Sequence, residues 1–173
     1  MITEAVRALI RLLREKVHKN VVLSAGSIVE IAKLPVIVLN GPTLTEKKRL
    51  MRDPERITVI DEEAGQAVRE VPPRWYDLNF DVNVTCESNL ELLELITKFS
   101  QLSQSNPLLM TSKGKYLWAM SRPLGSAVSP NISQVYQGSG ELIIYDVAIY
   151  SDIREVWPLI ANINIERKIE VQL

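Results

Sequence analysis

The chain has 173 residues, with 20 Lys and Arg against 21 Asp and Glu, a formal net charge of −1, one His and one Cys. This length suits one ordinary domain with a substantial core, and we predict a single domain over residues 1–173. The balanced charge argues against a dedicated nucleic-acid binder and against a polybasic membrane-surface protein, because both carry a basic excess. The lone Cys86 excludes an internal disulfide framework, and the lone His18 removes most His-based metal sites.

The N-terminal segment alternates charged and apolar residues, which predicts no signal peptide. The longest apolar runs, such as Leu34–Leu39, span only a few residues and are far too short to cross a membrane. These features predict a soluble protein made in a reducing compartment.

The first predicted element is an amphipathic helix over Thr3–Lys19, with Thr3 as its N-cap. Its apolar residues have the spacing of one helical face: Val6, Leu9, Ile10, Leu13 and Val17. Charged residues lie elsewhere on its surface: Arg7, Arg11, Arg14, Glu15 and Lys16.

Short strands are predicted next, at Val21–Leu23, Leu34–Leu39, Ile57–Ile60 and Gln66–Val71. Asn40-Gly41-Pro42 is expected to end the second of them. The stretch Thr43–Arg56 has few apolar anchors and is predicted to be a mobile loop or a short exposed helix. Its basic residues are Lys47, Lys48, Arg49, Arg52 and Arg56.

The strongest strand signal lies at Trp75–Cys86, where apolar and polar residues alternate strictly. The apolar set is Tyr76, Leu78, Phe80, Val82, Val84 and Cys86. The polar set includes Asp77, Asn79, Asp81 and Asn83. One face of this strand is therefore expected to lie on a core, and the other to face water, a pore or a partner.

A second helix follows, beginning with a Ser88–Glu91 capping box and ending at Asn106-Pro107. In the box, the Ser88 hydroxyl is expected to cap the Glu91 N–H and the Glu91 carboxylate to cap the Ser88 N–H. Its buried face is predicted to hold Leu92, Leu95, Ile96, Phe99 and Leu102.

The rest of the chain is predicted to hold two strands, Tyr116–Met120 and Glu141–Tyr150, separated by a long loop over Arg122–Gly140. In the second strand, Asp146 is expected to share a face with Leu142 and Ile144. Asp152–Ile160 is predicted to be a brief helical or turn segment, and the tail 162–173 to be a strand. The expected fold is α+β, with a mostly antiparallel sheet flanked by two amphipathic helices and long exposed loops.

The chain offers little material for catalysis. We predict that His18 is solvated at a helix end, where a cation suits the helix dipole, and that Cys86 is a small buried hydrophobe. The cluster Asp61, Glu62 and Glu63 is predicted to be a solvated turn, although a small metal-dependent enzyme could use such carboxylates. We therefore predict no enzyme activity, no cofactor and no metal.

The order of the elements resembles that of the tail terminator proteins of long-tailed phages and the cap proteins of contractile injection systems. The resemblance covers about Ile2–Ile169. It is carried by the N-terminal helix, the Pro-prefixed alternating strand 72–84, the helix ending in Asn106-Pro107-Leu108-Leu109, and a final segment containing Trp157.

The resemblance implies a non-enzymatic virion protein, made in the host cytoplasm, that forms a ring, typically a hexamer. Such a ring caps the tail tube, ends its polymerisation and joins the tail to the neck. The implied partners are further copies of the chain, the tube protein, the neck connector and, in contractile tails, the sheath. Genomic DNA would pass through the lumen without specific binding, and no membrane is involved.

In that setting the residues Asp77, Asn79, Asp81 and Asn83 are candidates for a lumen or subunit-contact face. The candidate interface residues are Lys47, Lys48, Arg49, Arg52 and Trp157. Solvated loops and a hydrated sheet face are the alternatives to these assignments. The alternative functions are another neck component (a connector, stopper or completion protein) and the small metal-dependent enzyme.

Overall fold

The computed structural model describes the backbone of residues 1–24, 33–47, 57–61, 66–70, 73–127, 135–150 and 154–158. Side chains are described for the same residues apart from 57–61, 66–70, 127 and 154–158. The elements in chain order are α1 (Ile2–Lys16), β1 (Val21–Ser24), β2 (Val36–Glu46), β3 (Ile57–Asp61), β4 (Gln66–Glu70), β5 (Arg74–Cys86), α2 (Asn89–Ser105), β6 (Leu108–Thr111), β7 (Gly114–Ala127), β8 (Tyr136–Ile149) and β9 (Arg154–Pro158).

The chain divides into two compact units. The first comprises Met1–Lys48 and Arg74–Ile149 and contains both helices and a six-stranded sheet in the order β1-β2-β5-β8-β7-β6. All neighbouring strands in this sheet are antiparallel except β1 and β2, which run parallel. The second comprises Arg49–Pro73 and Tyr150–Leu173, where β3, β4 and β9 form an antiparallel sheet with β4 in the centre. The predicted α+β class is confirmed.

The core of the first unit lies between one face of its sheet and the two helices. The alternation in β5 is confirmed, because Leu78, Phe80, Val82, Val84 and Cys86 are all buried. The helices cover this face with residues spaced one turn apart: Ala5, Val6, Leu9 and Leu13 from α1, and Leu92, Leu95, Phe99 and Leu102 from α2. Burial of these apolar faces is the main force holding the helices on the sheet.

The predicted helix ends differ in detail from the structure. Thr3 lies inside α1, whose N-cap is Met1, so the predicted cap is wrong. In α2 the Ser88 hydroxyl accepts the Glu91 N–H at 3.2 Å, as predicted, and the helix ends at Asn106. Among these described residues, the Ser88 N–H makes no hydrogen bond to the Glu91 carboxylate, so only one half of the predicted capping box forms.

The Asn40-Gly41-Pro42 signal does not end β2. Gly41 adopts a φ of +125°, and the register with β5 shifts between Asn40 and Thr43, after which pairing resumes through Glu46. The first four residues of the predicted loop Thr43–Arg56 are therefore strand. The Asn40-Gly41-Pro42 segment forms a β-bulge instead of a turn, because β5 continues beside it and its backbone groups pair with β2 on both sides of the bulge.

The predicted loop Arg122–Gly140 is also wrong over its described parts, since β7 runs to Ala127 and β8 begins at Tyr136. Glycine here serves close packing. A Cβ on Gly138 would stand 3.0 Å from Leu92 Cδ1, and one on Gly140 would stand 2.9 Å from the carbonyl oxygen of Arg122. Glycines that favour a loop in the sequence thus mark close approach of backbones in the sheet.

Two further segments differ from their predictions. Arg154–Pro158 is the strand β9, where a helical or turn segment was predicted, because its backbone pairs with β4 over five residues. The strand β6, which pairs with the start of β7, was not predicted, because its four residues are too few to show a period. The predicted tail strand lies outside the described residues.

Candidate functional site

The four residues predicted to form a lumen or subunit-contact face lie on the side of the sheet opposite the helices, which we call the open face. Asp77, Asn79, Asp81 and Asn83 alternate with the buried residues of β5. Asp81 and Asn83 are exposed, whereas Asp77 and Asn79 are half-buried. The open face therefore presents polar groups in a row on a rigid central strand.

An ion-pair cluster stands at one end of this row. The Lys47 ammonium lies 2.7 Å from Asp146 Oδ1 and 3.2 Å from Asp77 Oδ1. The Lys47 backbone N–H donates to the carbonyl oxygen of Trp75 at 2.9 Å, and its Nζ lies 5.5 Å from the centre of the Tyr145 ring. These contacts raise the pKa of Lys47, chiefly through the hydrogen bond to Asp146, against a smaller opposing effect of burial.

A β-bulge in β8 brings Asp146 into this cluster. The register between β5 and β8 shifts between Tyr76 and Leu78, which leaves one extra residue on β8. Asp146 lies there with a φ of +56°, and its N–H donates to Asp77 Oδ1 at 3.1 Å. Asp146 was predicted to share a face with Ile144, and this prediction is wrong. Ile144 is buried whereas Asp146 is exposed, because the bulge turns Asp146 to the other side of the sheet. A short polar side chain tolerates this backbone conformation better than a branched one does.

The cluster brings together residues from two separate predicted sites. Lys47 was predicted to belong to an interface patch and Asp77 to the polar row, and the structure pairs them with each other. Lys48, Arg49 and Arg52 lie outside the described residues. Trp157 lies on β9, where only the backbone is described. No local pattern could have found the Lys47–Asp77–Asp146 cluster, because its members come from three separate strands or strand ends.

Further along the row, two carboxylates face each other. Asp81 pairs directly with Glu141 across β5 and β8, and Arg122 Nη2 approaches Glu141 Oε1 at 3.4 Å. Asn79 donates to the Thr45 hydroxyl at 2.9 Å and to the Thr43 carbonyl at 3.3 Å. A depression in the open face is lined by Thr43, Asn79, Phe80, Asp81, Ser121 and Glu141.

Neither His18 nor Cys86 is placed as a nucleophile or its base. His18 lies half-buried just after the end of α1, and its Nδ1 accepts the Asn20 N–H at 3.1 Å. Cys86 is buried, as predicted, and burial together with the nearby Glu91 raises the pKa of its thiol to about 11. A thiol with so high a pKa is a poor nucleophile at neutral pH.

This raised pKa predicts an alkaline loss of stability. The unfolded thiol gives up its proton near its ordinary value of 9.0, whereas the folded thiol holds it until about pH 11. The unfolded state binds fewer protons between these values, so stability falls as pH rises, by about 2–3 kcal/mol in total. Urea denaturation at a series of pH values measures the free energy of unfolding of the wild type and of Cys86→Ala. After the difference between the two proteins at pH 7 is subtracted, we expect this fall in the wild type and not in Cys86→Ala. Equal slopes in the two proteins would contradict the assignment.

The described part of the chain shows neither a metal-binding group of side chains nor a membrane-spanning helix. Among those residues, no group of three or more His, Cys, Asp or Glu side chains is arranged to hold a metal ion. Neither described helix is long and apolar enough to cross a membrane. Asp61 is the last residue of β3, and Glu62 and Glu63 lie outside the described residues, so the predicted carboxylate cluster is not tested.

Comparisons with known proteins give a structural similarity only. No protein-family model and no curated protein matches the sequence. Solved structures do match, and one of them is the sheath/tube terminator, in its extended state, of the extracellular contractile injection system PVC. The match has 12% sequence identity and a TM-score of 0.48, and it covers 88% of this chain. The chain spans 58% of that terminator. A similarity at this level does not carry a function from one protein to the other.

Proposed function

We propose that this chain is a non-enzymatic structural subunit of a phage tail or of a related contractile injection system. In this role, copies of the chain form a ring, hexameric in the family that the sequence resembles. The ring caps the tail tube, ends its polymerisation and joins the tail to the neck. Its partners are the tube protein, the neck connector and, in contractile tails, the sheath, and it belongs to the particle's tail or neck.

The observation that carries this proposal is the two-sided build of the first unit. One face of its sheet is sealed by α1 and α2, whereas the open face presents Asp77, Asn79, Asp81 and Asn83 on the long central strand β5. A sheet in a monomer needs only one covered face, and a rigid polar second face is suited to a protein partner or to a hydrated lumen. A lumen without excess positive charge would let DNA pass without holding it electrostatically.

The element order of the sequence resemblance also agrees with the described elements. The N-terminal helix, the long alternating strand and the capped second helix occur as α1, β5 and α2. Within the described part of the chain, the buried thiol of Cys86 and the hydrogen-bonded His18 offer no catalytic pair. These features favour a structural role over nucleophilic catalysis by a Cys–His pair.

The decisive experiment removes the chain from the particles that contain it. A terminator limits the tube, so we expect its loss to give tubes of uncontrolled, excessive length that do not join heads, as measured by negative-stain electron microscopy. Adding back purified wild-type chain during assembly serves as the control and should restore normal length. Tubes of normal length that fail to join heads would indicate a connector, stopper or completion protein. Normal, infectious or active particles would contradict the proposal altogether.

A further inference from the structure

The side of α1 that faces away from the sheet carries a row of arginines. Arg7, Arg11 and Arg14 are four and three residues apart, so they share one helical face, and all three are exposed. Arg14 is held by the carbonyl oxygen of Val21, through bonds of 3.2 and 2.8 Å. Arg7 and Arg11 make no hydrogen bond or ion pair within the described part of the chain. Like charges at this spacing repel each other, and the two glutamates at neighbouring helical positions, Glu4 and Glu15, form no ion pair with Arg7 or Arg11 within the described part of the chain.

The open face holds a matching conflict of opposite sign. Asp81 and Glu141 stand directly across from each other on β5 and β8, and like charges in directly opposed strand positions are destabilising. Arg122 approaches Glu141, but Asp81 has no ion-pair partner among the described residues. An additional cation beside Asp81 would relieve this repulsion.

These two surfaces lie on opposite sides of the same two-layer unit. The buried residues of α1, among them Leu9 and Leu13, point toward the sheet, so its arginine row points away from it. Asp81 lies on the other face of that sheet, opposite the helices. Each subunit therefore carries an arginine row on the outer side of α1 and an excess of carboxylates over cations on its open face. Surfaces related in this way join copies head to tail, which closes into a ring when the rotation is right.

We infer that the subunit contact of the proposed ring joins the α1 arginine row of one copy to the open face of the next. Arg7 and Arg11 of one subunit approach Asp81 and Glu141 of its neighbour. The inference rests on the proposed ring, and it assigns the row Asp77–Asn83 to a subunit contact and not to the lumen. The arginine row alone would fit any polyanion, but the paired carboxylates on the opposite face select a second copy of this chain.

The first test measures self-association of the full-length chain by sedimentation equilibrium at low and high salt. We expect the double variant Arg7→Glu/Arg11→Glu to weaken association on the order of tenfold to a hundredfold, and Asp81→Lys to weaken it by a similar factor. High salt should weaken the wild-type contact in the same direction. Lys98→Glu is the matched control, because it reverses an exposed charge on α2 that belongs to neither surface, and it should leave association unchanged.

Mixing the two defective proteins gives a sharper test. In a head-to-tail ring, a 1:1 mixture of Arg7→Glu/Arg11→Glu with Asp81→Lys alternates a wild-type contact with a charge-swapped contact. We therefore expect the mixture to regain association that neither variant shows alone. A circular dichroism spectrum that matches the wild type, with a melting temperature no lower than that of the wild type, establishes for each variant that folding is intact.

The outcomes separate this inference from the proposed function. If the wild-type chain forms rings and the reversed charges leave them unchanged, the contact is wrong while the ring stands. Weakened variants whose mixture stays dissociated would also overturn the contact. If the wild-type chain is monomeric at every concentration and is absent from purified tails, the proposed function and the contact fail together.

Discussion

We expect Trp118→Ala to lower the free energy of unfolding by about 3–5 kcal/mol, the largest effect of any substitution considered for this protein. Trp118 is fully buried on β7 and is one of the largest side chains in the core. Removing the indole leaves a cavity that the surrounding sheet and helices cannot fill without distortion.

The indole also makes a polar contact that holds α2 in place. Its Nε1 donates to the carbonyl oxygen of Asn106 at 2.6 Å, and Asn106 is the C-cap of α2. The Trp118 backbone N–H donates to the carbonyl oxygen of Pro107 at 2.9 Å, so both bonds fix the turn between the helix and β6. Trp118→Phe keeps most of the volume and loses the side-chain bond, so we expect a smaller loss of about 1 kcal/mol.

Urea denaturation followed by far-UV circular dichroism measures these losses. The matched control is Leu117→Ala, because Leu117 is the preceding residue on the same strand but is 48% exposed. We expect that substitution to change stability by less than about 0.5 kcal/mol. A Trp118→Ala protein no less stable than Leu117→Ala would show that the indole is not a core residue.

The second large effect is expected for Gly41→Ala, at about 3 kcal/mol of lost stability. Gly41 has a φ of +125°, a region that residues with a Cβ rarely adopt. A Cβ there would lie 2.8 Å from the Asn79 carbonyl oxygen and 3.3 Å from the Thr43 nitrogen. Both neighbours are backbone atoms of the paired strands β2 and β5, so neither can rotate out of the way.

Gly125→Ala is the matched control for this prediction. Gly125 is also a strand glycine, but a Cβ there would meet no atom within 4 Å and its φ is not in the left-handed region. We expect Gly125→Ala to be as stable as the wild type or slightly more stable in the same urea assay, since alanine loses less conformational entropy than glycine on folding. Equal stability of the two variants would mean that the β2 bulge does not require glycine.

Elements whose hydrophobic period is long and regular could be predicted from the sequence alone. The twelve-residue alternation at Trp75–Cys86 identified β5 and its polar face, and the spaced leucines identified both helices. Ser88 was identifiable as the cap of α2, because capping depends on residues three positions apart. These features are local, so a window of the sequence contains everything that decides them.

Features that depend on contacts between distant strands could not be predicted without the fold. Three glycines that favour loops locally lie in strands: Gly41, Gly138 and Gly140. At each of them a neighbouring backbone or side-chain atom lies too close for a Cβ. Asp146 leaves the predicted face only because β8 carries an extra residue opposite β5. Composition shows balanced charge, but only the fold pairs Lys47 with Asp77 and sets Asp81 against Glu141. Strand register between residues far apart in the chain determines these contacts, and no local period in the sequence records it.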